Sequence, residues 1–106
     1  MFSSIQMPKG FKCAGISAGI KAGGVKDMAM ILSEPPAVPA GVFTSNQVCA
    51  APVKVCREHL AHGMARAIVM NSGVANACTG EEGMVAARDM AAEAARIMGC
   101  APQEIF

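Results

Sequence analysis

The sequence predicts an α+β fold, and three observations carry that expectation. Two short runs of small and apolar residues, 11–21 and 27–33, flank Ala22-Gly23-Gly24, and a third apolar run spans Ala65-Arg66-Ala67-Ile68-Val69-Met70. These have the length and turn-bounded character of strands. From Thr79 to Gly99, by contrast, Ala and Met recur every three or four positions, which is the period of a helix with one buried face.

Taken in order, Phe11–Lys21 and Asp27–Ser33 read as a hairpin, with Gly23 and Gly24 supplying the positive-φ positions of its turn. Gly15 and Gly19 inside the first arm suit close approach of another backbone. Glu34-Pro35-Pro36-Ala37-Val38-Pro39 reads as a connection, because each proline removes a backbone donor and restricts the residue before it. A third strand is expected over Ala40-Gly41-Val42-Phe43-Thr44 and a fourth over Val53-Lys54-Val55-Cys56, with polar Ser45-Asn46-Gln47 between them.

Arg57 to His62 leaves room for a short helix ended by Gly63, and Ala65–Met70 becomes a fifth strand that runs into Asn71-Ser72-Gly73. Thr79-Gly80-Glu81-Glu82 then has the S/T-x-x-E form in which the first side chain caps a helix and the fourth residue bonds back. Met84, Ala87, Ala91, Ala94 and Met98 share one face of that helix, while Glu82, Asp89, Glu93 and Arg96 fall largely opposite. Gly99 supplies the left-handed residue that commonly ends such a helix.

Composition narrows the function classes. The 106 residues are 53% hydrophobic, with four Phe and no Trp or Tyr, so the expected core is small and built from Ala, Val, Ile and flexible Met. Nine basic and eight acidic residues give a formal charge of +1, which offers no footprint for nucleic acid or an anionic membrane. No apolar stretch approaches the roughly 20 residues of a membrane-spanning helix. The lead Met1-Phe2-Ser3-Ser4-Ile5-Gln6 has neither the basic cluster nor the apolar core of a secretory signal, so a cytoplasmic protein is expected. Five cysteines, at 13, 49, 56, 78 and 100, form no Cys-x-x-Cys pair and read as free buried thiols.

Two constellations could carry chemistry. Cys56, His59 and His62 have the spacing C-x-x-H-x-x-H, which on a helix would gather three potential zinc ligands but offers no fourth. Histidines near a helix end are more commonly surface or capping groups, and no metal is expected there. The second is the polar stretch Asn71-Ser72-Gly73-Val74-Ala75-Asn76-Ala77-Cys78-Thr79-Gly80, which leaves a buried strand and opens a helix. Backbone donors and the positive helix end converge at such a place, which suits an anion or an oxyanion. On the residues alone a purely structural reading stands beside it, with Thr79 capping the helix and the asparagines satisfying turn backbone.

That stretch resembles the N-S-G-N-A-N-A-C-T-G segment of the ornithine acetyltransferase family, departing only at position 74, where Val stands for Asn. Further segments agree in order: Pro8-Lys9-Gly10-Phe11 with Gly19-Ile20-Lys21, Ala40-Gly41-Val42-Phe43-Thr44-Ser45-Asn46, and Ala50-Ala51-Pro52-Val53 with Arg57-Glu58-His59-Leu60. The resemblance covers nearly the whole chain and is far more specific than a lone glycine pattern. It implies a layered α/β/β/α sandwich of mostly antiparallel strands, of which residues 1–106 are one partial domain, the amino-terminal part of the alpha chain.

It also implies an enzyme of arginine biosynthesis that moves acetyl from N2-acetylornithine to glutamate, with acetyl-CoA as a possible further donor and no cofactor or metal. In the family, autocatalytic cleavage frees a threonine that acts as the nucleophile of the beta chain, its own amine serving as base, and the two chains assemble as a heterotetramer. Both nucleophile and oxyanion hole are expected beyond Phe106, so no catalytic residue is assigned here and the 106 residues alone are expected to be inactive. Asn71, Ser72, Gly73, Asn76 and Gly80 are expected to line the active-site cleft. The alternatives are a related self-cleaving amidase or aminopeptidase, or a non-catalytic module.

Overall fold

The computed structural model describes residues 6–106; the lead 1–5 read above for a secretory signal lies outside the described residues. The chain forms β1 (Phe11–Ile16), β2 (Met28–Ala37), α1 (Ala51–Leu60), β3 (Ala65–Asn71) and α2 (Gly80–Met98), with short 3-10 turns at Ala22–Gly24 and Pro102–Glu104. The three strands make one antiparallel sheet in the order β1-β2-β3. An α+β fold with a long helix near its end is therefore what the residues build.

A hairpin forms, but its first arm is shorter than expected: β1 stops at Ile16, and residues 17–27 make the connection, where Gly19 (φ 80°) has no atom within 4 Å of an added Cβ rather than another backbone beside it. Gly23 (φ 83°) and Gly24 (φ 70°) take the left-handed positions of the turn, and the Asp27 N–H donates to Ile16 O at 3.0 Å. Register aligns Ala14, Met30 and Val69 across the sheet on the face that α2 covers. Cys13, Ile31 and Ile68 align on the other face, which nothing among the described residues fully covers: Ile68 is 46% exposed and Phe11 41%. Ala67, Val69, Ala91, Ala94, Ala95 and Ile105 form the core. With alanine on three turns of α2, the helix backbone can lie close to the sheet.

Three further expectations about the elements are corrected. Pro35 and Pro36 lie within the central strand β2, not in a connection. They are tolerated because pairing with β1 has ended at Ser33↔Phe11, while the register with β3 jumps from Leu32↔Ala67 to Ala37↔Ala65. In that bulge the missing N–H groups have no ladder bond to lose.

Residues 40–44 are not a strand. The free edge of β3 that such a strand would need is taken by the end of the chain, where Val69 N–H donates to Phe106 O (2.7 Å) and Phe106 N–H to Ala67 O (2.9 Å). Val42 is instead 99% exposed, and the segment is held by Arg57, which donates to Thr44 O at 3.1 Å and lies over the Phe43 ring.

Val53–Cys56 is helical, part of one continuous α1. Pro52 presets the first turn, and Ala51, Val55 and His59 stack four residues apart on a buried face, the first two meeting Ala87 and Met84 of α2. That tertiary face outweighs the strand preference of two valines. α2 ends as expected at Gly99 (φ 67°, ψ 39°), where the Cys100 N–H reaches back to Ala95 O.

The cysteines are free but none is fully buried: Cys13 and Cys78 are exposed, and Cys49, Cys56 and Cys100 are half-buried. Burial pushes the Cys56 and Cys100 thiols above their ordinary pKa, the neighbouring Glu104 adding to the effect at Cys100. No helix among the described residues is long and apolar enough to cross a membrane.

Candidate functional site

β3 ends at Asn71, opposite Met28, and the chain then turns through residues 72–79 before entering α2. Asn76 organises the far limb of this loop. Its backbone carbonyl accepts from Ala51 N–H (3.2 Å), its side-chain amide donates to Gly83 O (2.8 Å), and its side-chain oxygen accepts from the Thr79 hydroxyl. One residue thus ties the loop to the starts of both helices. The expected capping box is corrected here: Thr79 makes no side-chain cap bond to α2, because at φ -100° and ψ 7° it lacks the extended backbone that aims a capping oxygen at the first-turn N–H groups, and its hydroxyl donates to Asn76 instead. Gly83 makes this arrangement possible, since a Cβ there would lie 2.7 Å from Thr79 Cβ and overlap both Thr79 Oγ1 and Asn76 Oδ1.

Asp27 organises the near limb. It is 3% exposed, and its carboxylate accepts from the backbone N–H groups of Ala18 (2.6 Å) and Lys21 (2.8 Å), while its own carbonyl accepts from Ser72 N–H (2.9 Å). Gly73, at φ 104°, lies under the resulting turn: an added Cβ would meet Lys21 Cγ at 2.7 Å and Ile20 Cγ2 at 3.2 Å.

Donation from Lys21 and then Ala18 holds the Asp27 carboxyl below its ordinary 3.8, outweighing the opposing effect of burial. A depressed folded-state pKa stabilises the fold above the unfolded value, and that stabilisation is lost as pH falls through the folded one. The stability advantage of the native protein over Asp27→Asn should therefore be constant above about pH 5 and shrink below about pH 4. Urea midpoints across that range check it; a gap that widens on acidification would contradict the assignment.

The fold divides the five residues singled out by sequence. Asn71 and Asn76 come together on a cleft of about 420 Å3, walled by Pro52, Thr79, Glu82 and Met90. Gly80, at φ 63°, lies on a separate depression of about 390 Å3 with Lys54, Cys78 and Glu81. Ser72 and Gly73 line neither, and serve instead as the contact with Asp27 and the Ile20–Lys21 turn. The first turn of α2 carries Glu81 and Glu82, whose charge offsets the positive helix end. The larger of the two depressions offers the Asn71 and Asn76 side chains beside the Glu82 carboxylate, which is no cradle for an anion.

Two organising residues escaped the sequence reading. Gly83, a glycine inside an otherwise helical run, is a readable sign of close approach, because it costs about 1 kcal/mol relative to Ala in an open helix. Asp27 had no comparable local signal, since its partners are backbone groups six and nine residues away.

The Cys56, His59 and His62 spacing does not become a cluster: among the described residues no three His, Cys, Asp or Glu side chains converge as a metal ion requires. His59 is buried and bonded through Nδ1 to Ile105 O at 2.7 Å, with its ring edge-on to Phe106. Its role is to fasten the end of the chain to α1.

Residues 12–106 match the model of the ArgJ family. The arginine biosynthesis bifunctional protein ArgJ of Thermosynechococcus vestitus is 50% identical over 99 residues, covering 92% of this chain and 24% of the relative. The protein of the same name from Nitratidesulfovibrio vulgaris is 56% identical over 82 residues, covering 76% and 21%. The crystal structure of ArgJ from Bacillus halodurans superposes with a TM-score of 0.86 at 42% identity, over 92% of this chain and 51% of that one. Ornithine acetyltransferase of Mycobacterium tuberculosis, complexed with ornithine, superposes with a TM-score of 0.84 at 44% identity, over 92% and 54%. The chain spans about a quarter of the length of the curated relatives it matches.

Proposed function

The chain belongs to the ArgJ family, and from that premise we propose that it forms the amino-terminal part of an enzyme transferring acetyl from N2-acetylornithine to glutamate in arginine biosynthesis. The observation that carries this reading is the family match over residues 12–106, which includes the whole loop from Asn71 to Gly80. The ornithine in the complex of the tuberculosis relative agrees in chemical class with the proposed product. A cytoplasmic location, assembly with the rest of an alpha chain and a beta chain as a heterotetramer, and acetyl-CoA as a further donor belong to the same proposal.

The nucleophile belongs to polypeptide outside these 106 residues. Thr44 and Thr79 are the two threonines present, and both hydroxyls are engaged locally, Thr44 by the Asn46 N–H at 3.1 Å and Thr79 by Asn76. What this chain supplies in this reading is a wall of the cleft, on which the exposed Asn71 amide meets a polar, acyl-bearing substrate while Asn76, bonded to Gly83 and Thr79, keeps the wall in shape. Ser72 and Gly73 support that wall from outside the cleft, and Gly80 lies apart on the neighbouring depression.

The full-length protein, given N2-acetylornithine and glutamate, should form ornithine and N-acetylglutamate in equal amounts. Release of free acetate at a rate independent of glutamate would replace this reading with a hydrolytic amidase. Asn71 is exposed at the strand end, so Asn71→Ala should lower kcat/KM about tenfold, the equivalent of one substrate hydrogen bond, with little change in melting temperature. Undiminished kcat/KM in that variant would remove Asn71 from the site.

A further inference from the structure

We propose that Asp27 is a positioning residue for the cleft, drawing the Ala18–Lys21 turn onto Gly73 and thereby fixing the Asn71–Gly73 limb of the polar loop. Three separate contacts converge to do this. The carboxylate takes the Ala18 and Lys21 N–H groups, the Asp27 carbonyl takes the Ser72 N–H, and the turn so formed rests on Gly73, where no side chain could fit without displacing Lys21. Ser72 follows Asn71 directly, so the limb that ends in the cleft is held at its first residue past the strand.

The geometry is that of an over-determined joint. A buried carboxylate satisfied by two backbone donors has one low-energy placement, and it transmits that placement through its own backbone to the loop. Asparagine has nearly the same shape but only one accepting side-chain atom, so one of the two N–H groups would face a donor. Asp27→Asn therefore tests the joint while sparing the fold. Gly73→Ala attacks the same joint from the other side by lifting Lys21, and keeps the proposal testable if the first variant folds poorly.

The kinetic arm rests on the acetyltransferase reading; the exchange arm does not. In the full-length protein, Asp27→Asn should speed hydrogen exchange at Ala18, Lys21 and Ser72 by about tenfold, the effect of losing roughly one charge-assisted bond. The Val69 and Phe106 amides, bonded at the opposite edge of β3, should stay within about twofold. For acetyl transfer, kcat should fall about tenfold with KM changed less than about threefold, because a displaced wall misaligns the substrate more than it weakens binding.

Gly73→Ala should reproduce both effects, and the double variant should add little to either single one, since the two changes break one joint. Uniform acceleration of all amides would mark Asp27 as a general stabiliser and overturn the proposal, as would an unchanged Ser72. Unchanged kcat in a protein that does transfer acetyl would overturn it too. If no acetyl transfer occurs, the functional reading fails while exchange at Ser72 still decides the joint.

Discussion

Replacing Ile105 with alanine is expected to cost about 3–4 kcal/mol of stability, the upper range for truncating a buried aliphatic side chain. Ile105 is 1% exposed and packs against Ala67, Val69, Ala91, Ala94 and Ala95. Four of those five neighbours are alanines, which have no rotamers with which to close a gap, so most of the cavity should remain. The segment around Ile105 also completes the edge of β3 through Phe106 and receives His59 from α1, so a loosened side chain weakens two attachments. Urea denaturation measures the loss. A cost under about 1 kcal/mol would mean that this segment is not part of the folded core.

Gly83→Ala should destabilise by about 2–3 kcal/mol, although helix propensity alone favours alanine by about 1 kcal/mol. The sign reverses because the new methyl would occupy the space of Thr79 Oγ1 and Asn76 Oδ1. Those atoms are not free to step aside: each is held in the hydrogen-bonded link that joins the loop to the first turns of α1 and α2. Displacing them breaks the Asn76 bonds and opens the cleft wall, so activity should fall along with stability. Thermal melting decides the matter, and a rise in melting temperature would show that Asn76 and Thr79 are arranged differently.

The elements legible from sequence were those whose signal is local. Glycines at a turn, an apolar helical period ended by Gly99 and a short apolar run each act through neighbours a few positions away, and β1, β2, β3 and α2 formed there. The failures share a cause. Val53-Lys54-Val55-Cys56 has strand-like composition, yet its burial pattern is set by Ala87 and Met84 of a helix about thirty residues on. Residues 40–44 lost their place in the sheet to Ile105 and Phe106, some sixty residues distant. Pro35 and Pro36 entered the central strand because both neighbouring ladders lapse beside them.

The candidate site follows the same division. Composition and order along the chain determined that a polar, glycine-containing loop would join a buried strand to a long helix, because that depends on residue type and local period. Only the tertiary structure decided which of its groups face outward. Asn71 and Asn76 share a cleft while Ser72 and Gly73 turn toward Asp27 and Lys21, since hydrogen-bond donors and close contacts from distant segments must be satisfied before any group is left for a ligand.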